Sequence, residues 1–434
     1  MTQKKLALAG GCPVRQKPWP RWPQANRDTE SLLIEALNSG RWAISGPYTG
    51  KPCFERRFAE AFACYNNVQF CVPTTSGSSA LTLALLALEI GFDDEVLVPG
   101  LTWVACASAV LAVGALPVLV DIDTANLAMS FEAAKLAITT RTKAILLVHP
   151  FCRLADIERF MELSKKTGIP IIEDCSQAHG ATLRGKRVGT FGVVGCFSMQ
   201  QSKVLTSGEG GAAITNSSHL CRRLEQLRCD GRVFTEQTRV GRLELVEVGE
   251  VQGRNHCLSE FQAAILLEQL KHLDEQNDIR RRCADFIYSS LQGLPGVYAP
   301  PCPIDVEPSY YNLALEFDPK HFSNCTIDLI GRALGEELAI LVHPIYTPMN
   351  DHPLYRPALS ALMKGRPDAL ARANPKNFEL PNAKFARERF LTLPHRVLLD
   401  IDEGPGDIRE AIQKVQQYSD ELVDLCREPT LEAF

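Results

Sequence analysis

The sequence predicts an α/β fold, with a large domain on a mainly parallel sheet followed by a smaller α/β domain toward the C-terminus. Three observations carry this expectation. From about residue 67 to 215, short β-branched runs alternate with helical segments, the pattern of strands joined by crossover helices. A long apolar repeat of helical spacing starts at Leu258. Beyond about residue 285, prolines cluster at Pro295, Pro300, Pro301, Pro303 and Pro308, and Tyr310 to Phe317 then opens a second α/β unit. Since 434 residues exceed what one hydrophobic core usually covers, the division is placed at 1–285 and 286–434.

Taken in order, Ser78 to Glu89 reads as a helix, Glu95-Val-Leu-Val-Pro99 as a strand and Ala105 to Val113 as a second helix. The runs Leu116–Asp121, Ala144–His149, Ile169–Asp174, Gly195–Met199 and Ala212–Thr215 read as strands. Ala155 to Thr167 fills a helix between two of them, with Ile157, Phe160, Met161 and Leu163 on its inner face. Phe261, Ala264, Ile265, Leu267, Leu270 and Leu273 recur at helical spacing, which predicts a helix from Leu258 through Glu275.

A formal net charge of −5 gives neither nucleic acid nor an anionic membrane an electrostatic reason to bind. The 15 cysteines are odd in number, scattered from Cys12 to Cys426, and show no CxxC pair of metal-ligand spacing. They point to a reduced, cytoplasmic setting with no metal, and Cys106 and Cys196 read as small core hydrophobes. The opening Met1-Thr-Gln-Lys-Lys-Leu-Ala-Leu-Ala-Gly is too brief for a signal h-region. The stretch Val104–Val120 is broken by Gly114 and Pro117 and falls short of the roughly 20 residues of a spanning helix.

Chemistry concentrates in five segments. In Cys196-Phe-Ser-Met-Gln-Gln-Ser-Lys203-Val-Leu-Thr-Ser-Gly-Glu-Gly-Gly211, a lysine follows a strand and precedes a glycine cluster. A lysine amine can form a Schiff base with an aldehyde cofactor, and a carboxylate at a strand end, here Asp174, can keep that cofactor's ring nitrogen protonated. The pair suggests pyridoxal phosphate. Thr74-Thr-Ser-Gly77-Ser78-Ser-Ala80 leads into a helix whose backbone N–H groups suit a dianionic phosphate, though Ser and Gly are also ordinary caps. Trp103 follows a strand end, where it either stacks on a flat ligand or belongs to the core. Gln177 stands three residues past Asp174, within reach of a ring hydroxyl, and His179 is either a proton-transfer group or a packing residue. Ser198, five residues before Lys203, is within reach of the phosphate, and Arg254-Asn255 sits in a polar loop feeding the long helix, where Ser259 and Glu260 read as helix-start residues.

These segments, with Ser39-Gly-Arg-Trp-Ala-Ile-Ser-Gly-Pro-Tyr-Thr-Gly50 and Val98-Pro-Gly-Leu-Thr-Trp-Val-Ala-Cys-Ala-Ser-Ala109, resemble the DegT/DnrJ/EryC1/StrS sugar aminotransferase family from about Leu6 to Leu399. Within it, the chain is most similar to glutamine-dependent aminotransferases acting on scyllo-inosose or 2-deoxy-scyllo-inosose. The resemblance implies a fold-type-I pyridoxal phosphate enzyme with a seven-stranded sheet in the large domain. It further implies that Lys203 bears the cofactor, Asp174 binds the ring nitrogen, Gln177 faces the ring oxygen, Trp103 stacks on the ring, and Gly77, Ser78 and Ser198 hold the phosphate. Asn255 would reach the phosphate in a neighbouring subunit, which implies a homodimer with shared sites, and Arg41 to Tyr48 would line the substrate pocket. His149-Pro-Phe-Cys-Arg153 and Arg254 depart from the family pattern, and Arg254 and His179 are taken as substrate-facing. The expected activity is transfer of an amino group from glutamine or glutamate to a keto-cyclitol or keto-sugar in antibiotic-type biosynthesis. An aromatising synthase of the aminohydroxybenzoate type and a catalytically silent subunit are the alternatives. Lys203 argues against the family's dehydrating branch, in which histidine replaces the lysine.

Overall fold

The computed structural model describes residues 5–425 apart from 238, 300 and 301, so Pro300, Pro301, Cys426 and the first four residues lie outside the described residues. The strands β1 (Phe70–Thr74), β2 (Glu95–Pro99), β3 (Leu116–Val120), β4 (Thr142–Val148), β5 (Ile171–Asp174), β6 (Val194–Ser198) and β7 (Gly211–Thr215) form one sheet of seven. Their order is β1-β7-β6-β5-β4-β2-β3. The β2–β3, β2–β4, β4–β5 and β5–β6 pairs are parallel, and only β7 runs against its neighbours.

Side-chain alternation sends the two faces of this sheet into different cores. Val72, Val98, Leu146, Ile172, Cys196 and Ala213 pack toward helices α3 (Gly77–Ala87) and α4 (Ala105–Ala112), joined by Leu220 and Leu224 of a later helix. On the opposite face Cys71, Phe197, Ala212 and Ile214 share a core with Ala36 of helix α1 (Arg27–Asn38) and with helix α2 (Phe54–Tyr65), while Leu97, Ile145, Leu147 and Ile171 meet the helices Phe131–Ala137 and Ile157–Thr167. Strands buried on both faces explain the nearly unbroken apolar runs in the sequence.

The long helix, Glu260–Leu291, starts with a capping box: Ser259 Oγ accepts from Gln262 N, and the Gln262 side chain accepts from Ser259 N. It extends 16 residues beyond the expected end at Glu275. Its first half packs Ala263, Leu266, Leu270 and Leu273 under the large sheet, and its last turns place Cys283, Ala284, Ile287 and Leu291 in a second core. Residue 285, the expected division, therefore falls inside one continuous helix. The polar stretch Asn277–Arg282 hides the continuity, because Asn277 and Arg280 are buried in spite of their polarity.

The second core lies under an antiparallel sheet of β8 (Val297–Tyr298), β9 (Asn312–Phe317), β10 (His343–Pro344) and β11 (Phe390–Pro394), in the order β8-β9-β11-β10. Helices Ile327–Leu338 and Gly404–Gln417 cover it, contributing Ile330, Leu334, Ile408 and Ile412. Leu6 and Trp19 also join this core, so the N-terminal segment packs with the C-terminal unit.

Candidate active site

A cavity of about 810 Å³ opens where strands β4, β5 and β6 end, with Val148, Asp174 and Ser198 at its floor. In an open α/β sheet the carboxyl ends of parallel strands are where ligands bind, because the crossover connections diverge there. The C-terminal unit closes the other side with residues of Tyr311–Asn312, Leu341–Tyr346 and Pro394–Arg396.

Asp174 ends β5 and is 6% exposed. Its Oδ1 accepts Ser176 N at 2.9 Å, and its Oδ2 accepts the Cys106 thiol at 3.2 Å. Burial and the adjacent Asp174 charge push the Cys106 thiol well up, so it stays protonated as a donor. Gln177 is also held: its Oε1 accepts Phe151 N at 3.0 Å and its Nε2 donates to the Tyr346 hydroxyl at 3.2 Å. Each group is thus positioned before any ligand arrives.

Lys203 lies in the loop after β6. Trp22 Nε1 donates to its backbone oxygen at 3.0 Å, and its Nζ stands 3.9 Å from the Tyr311 ring centroid, a cation–π contact. His395 Nε2 donates to the Ser202 carbonyl at 3.1 Å and meets the Trp22 ring edge-on at 4.7 Å. Behind Trp22 the fully buried Arg280 donates to Asn277 Oδ1 at 3.0 Å and packs on the indole at 5.0 Å; burial pulls its guanidinium down to about 9.

At the N-terminus of α3, Ser76 is the N-cap, accepting Ser79 N, and Ser76, Gly77, Ser78 and Ser198 all line the cavity. A Cβ on Gly77 would lie 2.6 Å from Ser198 Cβ, so only glycine lets the helix start sit against the β6 end. Trp103, 49% exposed, lines the wall with its ring 6.0 Å from Tyr346.

On the far face of β5, Glu173 accepts Gly189 N and Phe191 N, each at 2.8 Å, and Gly192 N at 2.6 Å. His149 Nδ1 accepts Ala155 N at 3.2 Å, so its proton sits on Nε2, which donates to Glu173 Oε2 at 3.3 Å. His149, Glu173 and Cys175 bring ligand-type atoms within 4.8 Å of one another. The carboxylate oxygens are already filled by four donors, which makes this group a brace for the β5 end.

The structure thus brings Gly77, Ser78, Trp103, Asp174, Gln177, Ser198 and Lys203 to one cavity. The remaining expected residues lie off its wall. His179 is buried behind it against Phe197, with neither ring nitrogen hydrogen-bonded; burial, then the Lys203 charge, pulls it down to about 3. Arg41 is buried in an ion pair with Glu244 and donates to Ile44 O at 2.9 Å. Tyr48 is half-buried, pairing through its backbone with Arg242 and Gly241. Arg254 and Asn255 are exposed on a loop whose His256 oxygen accepts Thr75 N at 3.0 Å. Arg153 turns to Ala125 O at 2.6 Å. Reading the sequence did not single out Cys106 as a partner of Asp174, nor Trp22, Tyr311, Tyr346, His395 or Arg396 as wall residues.

Residues 23–404 match the model of the DegT/DnrJ/EryC1/StrS aminotransferase family. The chain belongs to the DegT/DnrJ/EryC1/StrS aminotransferase family. Among its DegT-family relatives, the L-glutamine:2-deoxy-scyllo-inosose aminotransferase of Streptoalloteichus tenebrarius is 47% identical over 96% of this chain and 99% of that protein. The L-glutamine:scyllo-inosose aminotransferase of Streptomyces griseus is 42% identical over 94% of this chain and 97% of that protein. The crystal structure of 3-amino-5-hydroxybenzoic acid synthase superposes with a TM-score of 0.77 at 26% identity, covering 92% of this chain and 99% of that one. As a DegT-family aminotransferase the chain implies a pyridoxal phosphate cofactor, and the cavity suits one: a helix N-terminus with two serines for a phosphate, a lysine, and a buried carboxylate with its donors in place. No helix among the described residues is long and apolar enough to cross a membrane.

Proposed function

We propose that this protein transfers an amino group from L-glutamine to a keto-cyclitol of the scyllo-inosose type, using pyridoxal phosphate. The observation that carries the reading is the convergence of Lys203, Asp174 and the Ser76–Ser78 helix start on one cavity, in a chain 42–47% identical to glutamine:cyclitol aminotransferases.

The cofactor, when bound, supplies an electron sink for charge that develops at the carbon losing its proton. The chain's residues do the rest. Backbone N–H groups of Gly77 and Ser78, with the Ser78 and Ser198 hydroxyls, would hold the phosphate. Asp174 would keep the ring nitrogen protonated, the second amide hydrogen of Gln177 would be available to the ring oxygen, and Trp103 would offer its indole to the ring. Lys203 would carry the cofactor and, as a free amine, would supply the base that moves a proton between the carbon that loses it and the carbon that gains it. Asn255, exposed in the protomer, completes the phosphate site of a second copy, so the working unit is a homodimer. Fourteen free cysteines among the described residues suit a cytoplasmic enzyme.

Incubation with keto-cyclitols and glutamine labelled at the α-nitrogen, followed by mass measurement, is expected to place the label in an amino-cyclitol by ping-pong kinetics. Lys203→Ala is expected to abolish multiple turnover. Likeness to the aminohydroxybenzoate synthase structure supports one rival; a dehydrated aromatic product in the same assay would decide for it.

A further inference from the structure

Lys203 sits in the loop between β6 and β7, next to Gln201 and Ser202, which are exposed. Bonds within the loop hold its amide side: Gln201 N donates to Gly208 O and Lys203 N to Gln200 O, each at 2.8 Å. Its carbonyl side is held from outside. The consecutive carbonyls of Ser202 and Lys203 accept from His395 Nε2 and Trp22 Nε1, one on the C-terminal unit and the other on the N-terminal segment. The two donor rings meet edge to face, so each fixes the other.

Arg280, on the long helix, backs this pair with its guanidinium over the Trp22 ring. Asn277 Oδ1 takes one of its N–H groups, Nε and Nη2 are left without partners, and among the described residues no carboxylate lies within ion-pair distance of it. Arg41 and Arg228, buried as deeply, are paired with Glu244 and with Glu55 and Glu225. A buried cation without a counter-ion costs the fold stability, so a charge in this place is a poor choice for packing alone. At the indole it has an effect of its own. A cation on the π face draws electron density out of the ring, holds its plane, and leaves Nε1–H the stronger donor toward Lys203 O. Burial, then the Arg280 charge, also pulls His395 well below its usual range, so that ring stays neutral with its one proton on Nε2, facing Ser202 O.

We propose that Arg280 is a positioning residue that acts through Trp22 to fix the Lys203 peptide, and so presents the lysine amine in one place. On the function proposed above, on which this inference rests, that amine carries pyridoxal phosphate, and a fixed peptide raises its effective concentration at the aldehyde. The phosphate and ring contacts do not depend on the clamp, because Gly77, Ser78, Ser198 and Asp174 lie on the sheet side of the cavity.

The test uses full-length apoenzyme of the parent, Trp22→Phe, Arg280→Met and Arg280→Lys. Pyridoxal phosphate attached at equilibrium is trapped with borohydride and counted on the Lys203 peptide by mass. Pyridoxamine phosphate, which has the same phosphate and ring but no aldehyde, is titrated by calorimetry. Trp22→Phe keeps an aromatic ring without the donor and is expected to weaken attachment roughly 3- to 10-fold. Arg280→Met is expected to fall in the same range of about 3- to 10-fold, with partial recovery in Arg280→Lys. All three are expected to bind pyridoxamine phosphate within about threefold of the parent, since its contacts are independent of the clamp. Because an unpaired buried charge is removed, Arg280→Met is expected to unfold at a denaturant midpoint equal to or above the parent's. Unchanged attachment in Arg280→Met or in Trp22→Phe overturns the proposal. So does an equal loss for both cofactors, or a midpoint that falls in step with attachment, either of which makes the arginine a packing group. A parent apoenzyme that attaches no pyridoxal phosphate at Lys203 would instead reject the underlying function.

Discussion

The Cys106 thiol donates to Asp174 Oδ2 at 3.2 Å, tying the first turn of α4 to the end of β5 directly beneath the cavity. Among the described residues Asp174 is otherwise held on that side chain only by Ser176 N, so the thiol sets the orientation of the second oxygen. Cys106→Val keeps the volume and removes the donor. Equilibrium dialysis is expected to show cofactor binding weakened roughly 10-fold, with Cys106→Ser within about threefold of the parent. Equal losses in Val and Ser would mark a packing role instead.

His179 is neutral in the folded protein, pulled down to about 3 by burial and then by Lys203. The unfolded chain binds a proton near 6.5, so below that pH it gains protons that the native state refuses, and stability falls with pH. The loss begins as pH drops through 6.5, reaches about 2 kcal/mol at pH 5, and levels off below 3. Urea unfolding of the apoenzyme at pH 8 and pH 5 checks this. His179→Gln should lose stability at pH 8 yet show a correspondingly shallower fall between the two.

Arg228, fully buried, donates to Glu55 at 2.6 Å, to Pro73 O at 2.9 Å and to Glu225 at 2.9 Å, while Arg56 bridges the same two acids. This network joins α2, the end of β1 and the helix Ser218–Arg228 ahead of the Asn255 loop. Removing its centre leaves buried carboxylates short of a counter-ion. Arg228→Met is expected to lower unfolding free energy by about 3–5 kcal/mol in denaturant titration.

Glu173→Gln puts an amide NH₂ among backbone N–H groups that all need an acceptor. The variant is expected to lose about 2–3 kcal/mol of stability, read from the denaturant midpoint. Because Glu173 precedes Asp174, cofactor retention should fall in the same variant.

Much of this site was legible because its chemistry is written in contiguous runs. Lys203 before its glycines, Asp174 at a strand end and Gly77 at a helix start each carry a local signal, and the structure gathers all three. The strands were legible for the same reason, since burial on both faces leaves unbroken apolar runs. The opposite wall was not: Tyr311, Tyr346, His395 and Arg396 come from three separate segments of the C-terminal unit, and nothing beside any of them hints at a ligand. Cys106 reads as core because a buried thiol is usually that, and only the fold sets it beside Asp174. The long helix was cut short at Glu275 because Asn277 and Arg280, though polar, face inward.

Of the four tryptophans in the chain, Trp22 and Trp103 stand on the cavity wall and Trp19 and Trp42 do not. Native emission is therefore a built-in gauge of occupancy. On the proposed reading, a B6 cofactor bound in this cavity absorbs where the two wall indoles radiate, so loading is expected to quench their emission.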